Sequence, residues 1–172
     1  AWVFRLMEIL FSLYYTFKSA RKDLERFGIK RGDTVADWGC GTGAYIKDAS
    51  EMTGPEGKVY AVDVHELSIN AVEKKISRHS LSNVIPVLSD GVKADIPGNS
   101  ADLVFAIDMF HMVRHTDLML KEISRICRPD GVLFLEDGHQ PRRTARDKVV
   151  RSGCWKIISE DRRFMKCVPV KE

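Results

Sequence analysis

Five short runs rich in β-branched and apolar residues recur along the chain, and stretches with helical spacing separate them. The runs are Thr34–Trp38, Lys58–Val64, Val84–Leu88, Asp102–Ile107 and Val132–Glu136. The helical stretches are Ala44–Met52, Glu66–His79 and Asp117–Cys127. Strands that alternate with helices cannot pair as hairpins. Each crossover returns the chain to the same end of the strands, which makes them parallel, so the expected fold is a doubly wound α/β sheet with helices on both faces. The turn residues agree: "GPEG" at 54–57, "IPGNSAD" at 96–102 and "PDG" at 129–131 each feed a strand. The tail breaks the rhythm. After a basic helix over Pro141–Ser152, "CWKIISED" and "RFMKCVPV" are separated by so few residues that they must form an antiparallel hairpin. The sheet is therefore mostly parallel and finishes in an antiparallel edge.

The first strand runs directly into glycines. In "TVADWGCGTGAY", residues 34–45, Gly39, Gly41 and Gly43 are two apart. Glycines that close serve a backbone that turns sharply and passes close to a ligand. In an open α/β sheet the ligand sits at the carboxyl ends of the strands, where strand order reverses. Spacing alone does not choose the ligand, because Gly39, Gly41 and Ala44 also satisfy the dinucleotide pattern G-x-G-x-x-A. Asp37 decides against a pyrophosphate, since like charges repel in a confined site, and favours a cationic amino group. Asp63 ends the second strand, 24 residues after Gly39, where a carboxylate can take two ribose hydroxyls. Asp90 ends the third strand in "LSDGV" and can accept from the exocyclic amine of an adenine.

With these residues in place, the sequence resembles the class I S-adenosylmethionine-dependent methyltransferases, in the type 11 branch that includes ubiquinone/menaquinone methyltransferases. The resemblance runs from about Phe27 to Glu136. "VADWGCGTG" resembles the first motif, "VYAVDV" the second, "SADLVFAIDMFHMV" the fourth and "LKEISRICRPDGVLFLED" the stretch through the fifth strand. It implies a Rossmann-like sheet of order 3-2-1-4-5-7-6 and S-adenosylmethionine as cofactor. The implied cofactor-binding residues are Asp37, Gly39, Cys40, Gly41, Gly43, Asp63, Val64, His65, Asp90, Gly91, Ile107, Asp108 and Met109. Asp37 would face the methionine amino group, Asp63 the ribose and Asp90 the adenine. Ile107, Asp108 and Met109 would line the methionine end. Trp38 stands where the family carries a smaller residue, and His65 stands where an apolar residue packs on adenine.

Methyl transfer is an in-line displacement, to which positioning and exclusion of water contribute most; a general base is needed only when the acceptor holds its proton tightly. The candidates for an acceptor-side catalytic role are His111, in "DMFHM" after the fourth strand, and His139, in "LEDGHQ" after the fifth. Glu136 and Asp137 lie beside His139 at the same strand end, and Glu136 also reads as a cap or as the partner of a neighbouring cation. Asp102 and Asp130 read as structural, and His115 and Asp117 as the opening of a helix. No metal site is expected, because Asp108, Asp137 and Asn99 make no convincing ligand set. "DMFH" departs from the Asn/Asp-Pro-Pro-aromatic motif of the superfamily's amino-methylating enzymes. A small-molecule acceptor is therefore expected.

Two other functions compete: a nicotinamide-dependent oxidoreductase, allowed by the glycine coincidence, and a non-catalytic cofactor-binding module that serves a partner. Composition excludes little else. The 172 residues are 44% apolar and 30% charged, as in an ordinary globular domain, and are read as one domain with a helical segment at 1–27 and a core at 28–172. The net charge of +3 makes no case for DNA or RNA, although ten Lys/Arg face four Asp/Glu from Gln140 to Glu172. Cys40, Cys127, Cys154 and Cys167 have no metal-binding spacing and suit a reducing cytoplasm. The N-terminal "AWVFRLMEILFSLYYTFKSA" is interrupted by Arg5 and Glu8, too early for a membrane span. Trp2, Leu6, Ile9, Leu10, Leu13 and Phe17 instead fit an amphipathic helix. It is expected to pack on its own domain, or to act as a lid, a dimer contact or a membrane-surface contact.

Overall fold

The computed structural model describes residues 20–170. The N-terminal amphipathic helix expected over Trp2–Phe17 lies outside them. The described chain opens with helix α1 (Ala20–Phe27), and then runs β1 (Thr34–Trp38), α2 (Ile46–Thr53), β2 (Lys58–Asp63), α3 (Glu66–His79) and β3 (Val84–Leu88). It continues through β4 (Ala101–Ala106), a single 3-10 turn (Phe110–Met112), α4 (Thr116–Ile126), β5 (Cys127–Glu136), α5 (Arg142–Arg151), β6 (Trp155–Glu160) and β7 (Phe164–Pro169). The seven strands form one sheet in the order β3-β2-β1-β4-β5-β7-β6. The first five are parallel, and β7 runs antiparallel to both β5 and β6. Sheet order and hairpin both match expectation.

The strands have apolar side chains on both faces, so the period of two sorts their residues into two cores. Val35, Phe105 and Phe134 point to one layer, where Leu24, Phe27, Ile46, Ala49 and Val72 from α1, α2 and α3 cover them. Ala36, Val104 and Leu133 point to the other, under Leu120, Ile123, Ala145 and Val149 of α4 and α5. Phe27 stacks on Phe134 at 4.3 Å between centroids and meets Phe164 edge-on at 5.0 Å, which ties α1 to the antiparallel edge. Trp155 anchors the far side, with its Nε1 donating to the Leu120 carbonyl at 2.9 Å.

Local chemistry sets the element ends. Helix α3 carries Glu66 in its first turn and Arg78 and His79 in its last, charges that suit the helix dipole. His115 and Asp117 open α4 as expected. The hairpin turns on Asp161, whose Oδ1 accepts the amides of Arg163 at 2.7 Å and Phe164 at 2.9 Å. One expectation is corrected. "PDG" at 129–131 is not a turn outside the fifth strand but a bulge within it. The register jumps from Ala101 opposite Cys127 to Leu103 opposite Val132. Gly131 allows this close approach, because a Cβ there would stand 2.6 Å from Cys127 Sγ and 3.0 Å from two β4 carbonyls.

Candidate functional site

Strand order reverses between β1 and β4, and the chain leaves β1 at that point through the glycine loop. Gly39, Gly41 and Gly43 have φ of 80°, 52° and 75°, the left-handed region that side chains disfavour. The loop folds back toward β2: the amides of Gly39 and Cys40 both donate to the Val62 carbonyl, at 2.8 and 2.9 Å. Gly39 also makes room for Met109, since a Cβ on it would lie 2.7 Å from Met109 Cγ. The loop from β1 and the connection after β4 thus touch across the switch point.

Asp37 lies beneath this loop. It is 2% exposed, and its Oδ2 is sealed from solvent with no hydrogen-bond partner. Burial drives its carboxyl well above the usual carboxylate range, the nearby Asp63 adds to the rise, and Lys75 opposes it. A buried acid in this condition is a standing cost unless a cation arrives. Lys75 was not among the residues singled out from the sequence. It reaches from α3 to donate to the Gly43 carbonyl at 2.6 Å, and its own pKa is lowered by burial. No local motif marks it; only its place one turn beyond buried Val72, whose methyl faces Gly43, would have found it. Cys40 is buried, and desolvation, with Asp37 and Asp63 nearby, pushes its thiol far up, so it is a packing residue and not a nucleophile.

Asp63 is 9% exposed and holds two amides, Gly41 on Oδ2 and His65 on Oδ1, both at 2.9 Å. Its oxygens keep lone pairs for further donors. Beyond it the surface is apolar: Val64 and Leu67 are exposed, as is Leu88 at the end of β3. Leu67 and Leu88 also went unremarked in the sequence, where they read as ordinary helix and strand positions. His65 is exposed at the N-cap of α3. Asp90 is exposed; its Oδ1 accepts the amides of Val92 at 2.8 Å and Lys93 at 2.7 Å, which hold the carboxyl below its usual range. Gly91 has φ 89° and packs near Val64. Trp38 is buried in the core with Tyr60 and Val62.

The connection after β4 supplies the opposite wall. Ile107 is buried, Asp108 takes a left-handed φ of 55°, and the 3-10 turn is anchored by fully buried Phe110. The expectation of no metal ligand set weighed Asp108 with Asp137 and Asn99. The fold instead brings Asp108 to His111 and His139, with one ligand atom from each within 4.8 Å of the others. The two imidazoles meet edge-on at 5.0 Å. The neighbouring acids are engaged elsewhere: Glu136 binds Arg163 at 2.5 Å and Asp137 binds Arg142 at 2.6 Å. Asp102 is structural as expected, accepting the Thr34 amide at 2.8 Å and pairing with Arg128.

A family model described as a methyltransferase domain matches residues 35–131, over half the chain. The chain belongs to the class I S-adenosylmethionine-dependent methyltransferases. Among curated relatives, the demethylmenaquinone methyltransferase of Geobacillus stearothermophilus is 31% identical over 122 residues, 70% of this chain and 52% of that protein. The chain thus spans about half the length of the curated relatives it matches. A solved S-adenosylmethionine-dependent methyltransferase from Aquifex aeolicus is 27% identical, with a TM-score of 0.80 over 88% of this chain and 90% of that one. Coclaurine N-methyltransferase, solved with N-methylheliamine and S-adenosylhomocysteine, is 28% identical, with a TM-score of 0.62 over 70% of this chain and 35% of that one. Among the described residues, no helix is long and apolar enough to cross a membrane.

Proposed function

We propose that the chain binds S-adenosylmethionine across the carboxyl ends of β1, β2 and β4 and transfers its methyl group to a small-molecule acceptor. The observation that carries this reading is the unpartnered, buried Oδ2 of Asp37 beneath the glycine loop. An ammonium group fits that oxygen and a phosphate does not, which separates a sulfonium amino acid from a dinucleotide. Asp63 would take the ribose hydroxyls with the lone pairs its two amides leave free. Val64, His65, Asp90 and Gly91 would border the adenine. Gly39, Cys40, Gly41 and Gly43 would pass beneath the methionine end, with Ile107, Asp108 and Met109 opposite.

When bound, the cofactor supplies an electrophilic methyl group on a sulfonium. The residues of this chain would orient it, exclude water and line the acceptor's approach. His111 and His139, within reach of Asp108, would face the acceptor and take a proton from one that releases it on methylation. The relatives named above carry the names of different acceptors, demethylmenaquinone and coclaurine, so the likeness does not choose an acceptor for this chain. We read residues 1–172 as belonging to one methyltransferase domain of a cytoplasmic enzyme.

Mass spectrometry of the purified protein, followed by an acceptor panel of phenols, quinols and amines with isotopically labelled S-adenosylmethionine, tests the reading. Labelled methyl on one panel class, with loss of signal in Asp37→Asn, supports it. Cofactor binding without turnover across the panel, together with loss of a protein partner when residues 1–19 are removed, would instead identify a non-catalytic module.

A further inference from the structure

Asp108, His111 and His139 come from two connections that meet only in the folded protein. Asp108 and His111 flank the start of the 3-10 turn after β4, and His139 lies between β5 and α5. One ligand atom of each falls within a circle of 4.8 Å. His139 Nε2 stands 3.6 Å from Asp108 Oδ1, too long for a hydrogen bond. It is close to the separation of two ligands that share one tetrahedral ion, about 3.4 Å for metal–ligand bonds near 2.1 Å. The rest of the gap closes at little cost, because the His139 side chain is 81% exposed and free to swing.

His111 is held differently. Its Nδ1 is buried and has no hydrogen-bond partner. Its ring is pressed against Gly138, which has φ 67° and where a Cβ would stand 2.0 Å from that nitrogen. Phe110, fully buried next to it, fixes the turn that carries it. His111 is thus held by the Gly138 backbone and edge-on against His139, with its buried nitrogen left unpaired. Such unsatisfied groups in a folded protein call for a functional explanation or an ion.

We propose that Asp108, His111 and His139 form a binding site for a divalent transition-metal ion. Two imidazoles and one carboxylate suit a borderline cation such as Zn²⁺, Co²⁺, Ni²⁺ or Fe²⁺, and not Mg²⁺ or Ca²⁺, which prefer oxygen ligands throughout. Three protein ligands leave at least one position open. The site adjoins Met109, which packs against Gly39, so it lies beside the cofactor loop. An acceptor oxygen or nitrogen is the chemistry it would take, and with the ion bound the two histidines serve as its ligands in place of their metal-free role as proton acceptors. Metal binding itself does not depend on the methyltransferase reading, because it is measured without cofactor or acceptor.

Titration of the chelator-stripped full chain with Co²⁺, followed by visible absorption and calorimetry, tests the proposal. The expected result is a single saturable site with ligand-field bands, no thiolate charge-transfer band, and displacement by Zn²⁺. His139→Ala and Asp108→Asn should each weaken Co²⁺ binding by about tenfold or more, with the metal-free melting temperature of His139→Ala unchanged. Cys154→Ser should bind as the wild type does. The proposal is overturned if no saturable binding is found, if binding survives both His139→Ala and Asp108→Asn, or if Cys154→Ser abolishes it.

Discussion

Asp63 accepts the backbone amide of Gly41 at 2.9 Å, so the carboxylate that ends β2 also fixes the loop that leaves β1. The same side chain holds the His65 amide at the start of α3. One residue therefore shapes the glycine loop and, in the proposed reading, receives the ribose. Asp63→Ala should weaken S-adenosylhomocysteine binding by about ten- to hundredfold, the loss expected when a charged acceptor leaves two donors unpaired. Calorimetric titration measures it. Unchanged affinity would mean that the ribose lies elsewhere.

Asp37 sets stability against binding. Folding raises its pKa, so the folded protein holds the proton more tightly than the unfolded chain. Stability is then lost as pH climbs from the ordinary value of 3.8 to the raised one. At neutral pH Asp37→Asn should stabilise the free protein, because the amide cannot carry the buried charge that the carboxyl takes on as pH rises. The gain should vanish below the ordinary carboxylate range. Cofactor affinity should rise with pH through the same window in the wild type and stay flat in Asp37→Asn. Thermal melts and titrations across pH read both effects.

Gly39 tests the contact across the switch point. Gly39→Ala puts a side chain at φ 80° and a Cβ 2.7 Å from Met109 Cγ. The backbone penalty alone is about 1–2 kcal/mol, and it should appear in denaturant unfolding. Met109→Ala removes the Cγ contact but keeps a Cβ at 3.1 Å, so it should recover most of the steric part and leave the backbone part. Full recovery by Met109→Ala would show that the left-handed backbone costs nothing.

Arg163 joins the first described helix to the last two strands. Its guanidinium binds Asp23 and Glu136, each at 2.5 Å, and is 19% exposed. Arg163→Ala strands two partly buried carboxylates and should cost about 2–4 kcal/mol. Arg163→Lys should recover part of that, since a single ammonium cannot serve both partners in the same planar fork. Chemical denaturation measures both variants.

What the sequence disclosed was whatever its neighbours along the chain determine. Asp37, the glycines and Asp63 sit at strand ends, where a short motif and a turn carry the information, and the parallel order followed from βαβ alternation. Pro129-Asp130-Gly131 read as a turn because those residue types make turns; only the partner carbonyls of β4 show that Gly131 serves a bulge. Lys75, Arg163 and the grouping of Asp108 with both histidines were not legible. Each brings together residues from separate elements, and side-chain convergence of that kind leaves no periodicity or spacing to read.

The most direct test of the account is paired calorimetry of the wild type and Asp37→Asn with S-adenosylhomocysteine and with a nicotinamide dinucleotide. The account predicts saturable 1:1 binding of S-adenosylhomocysteine by the wild type, weakened by about tenfold or more in Asp37→Asn, and no binding of the dinucleotide. Dinucleotide binding without S-adenosylhomocysteine binding would contradict it.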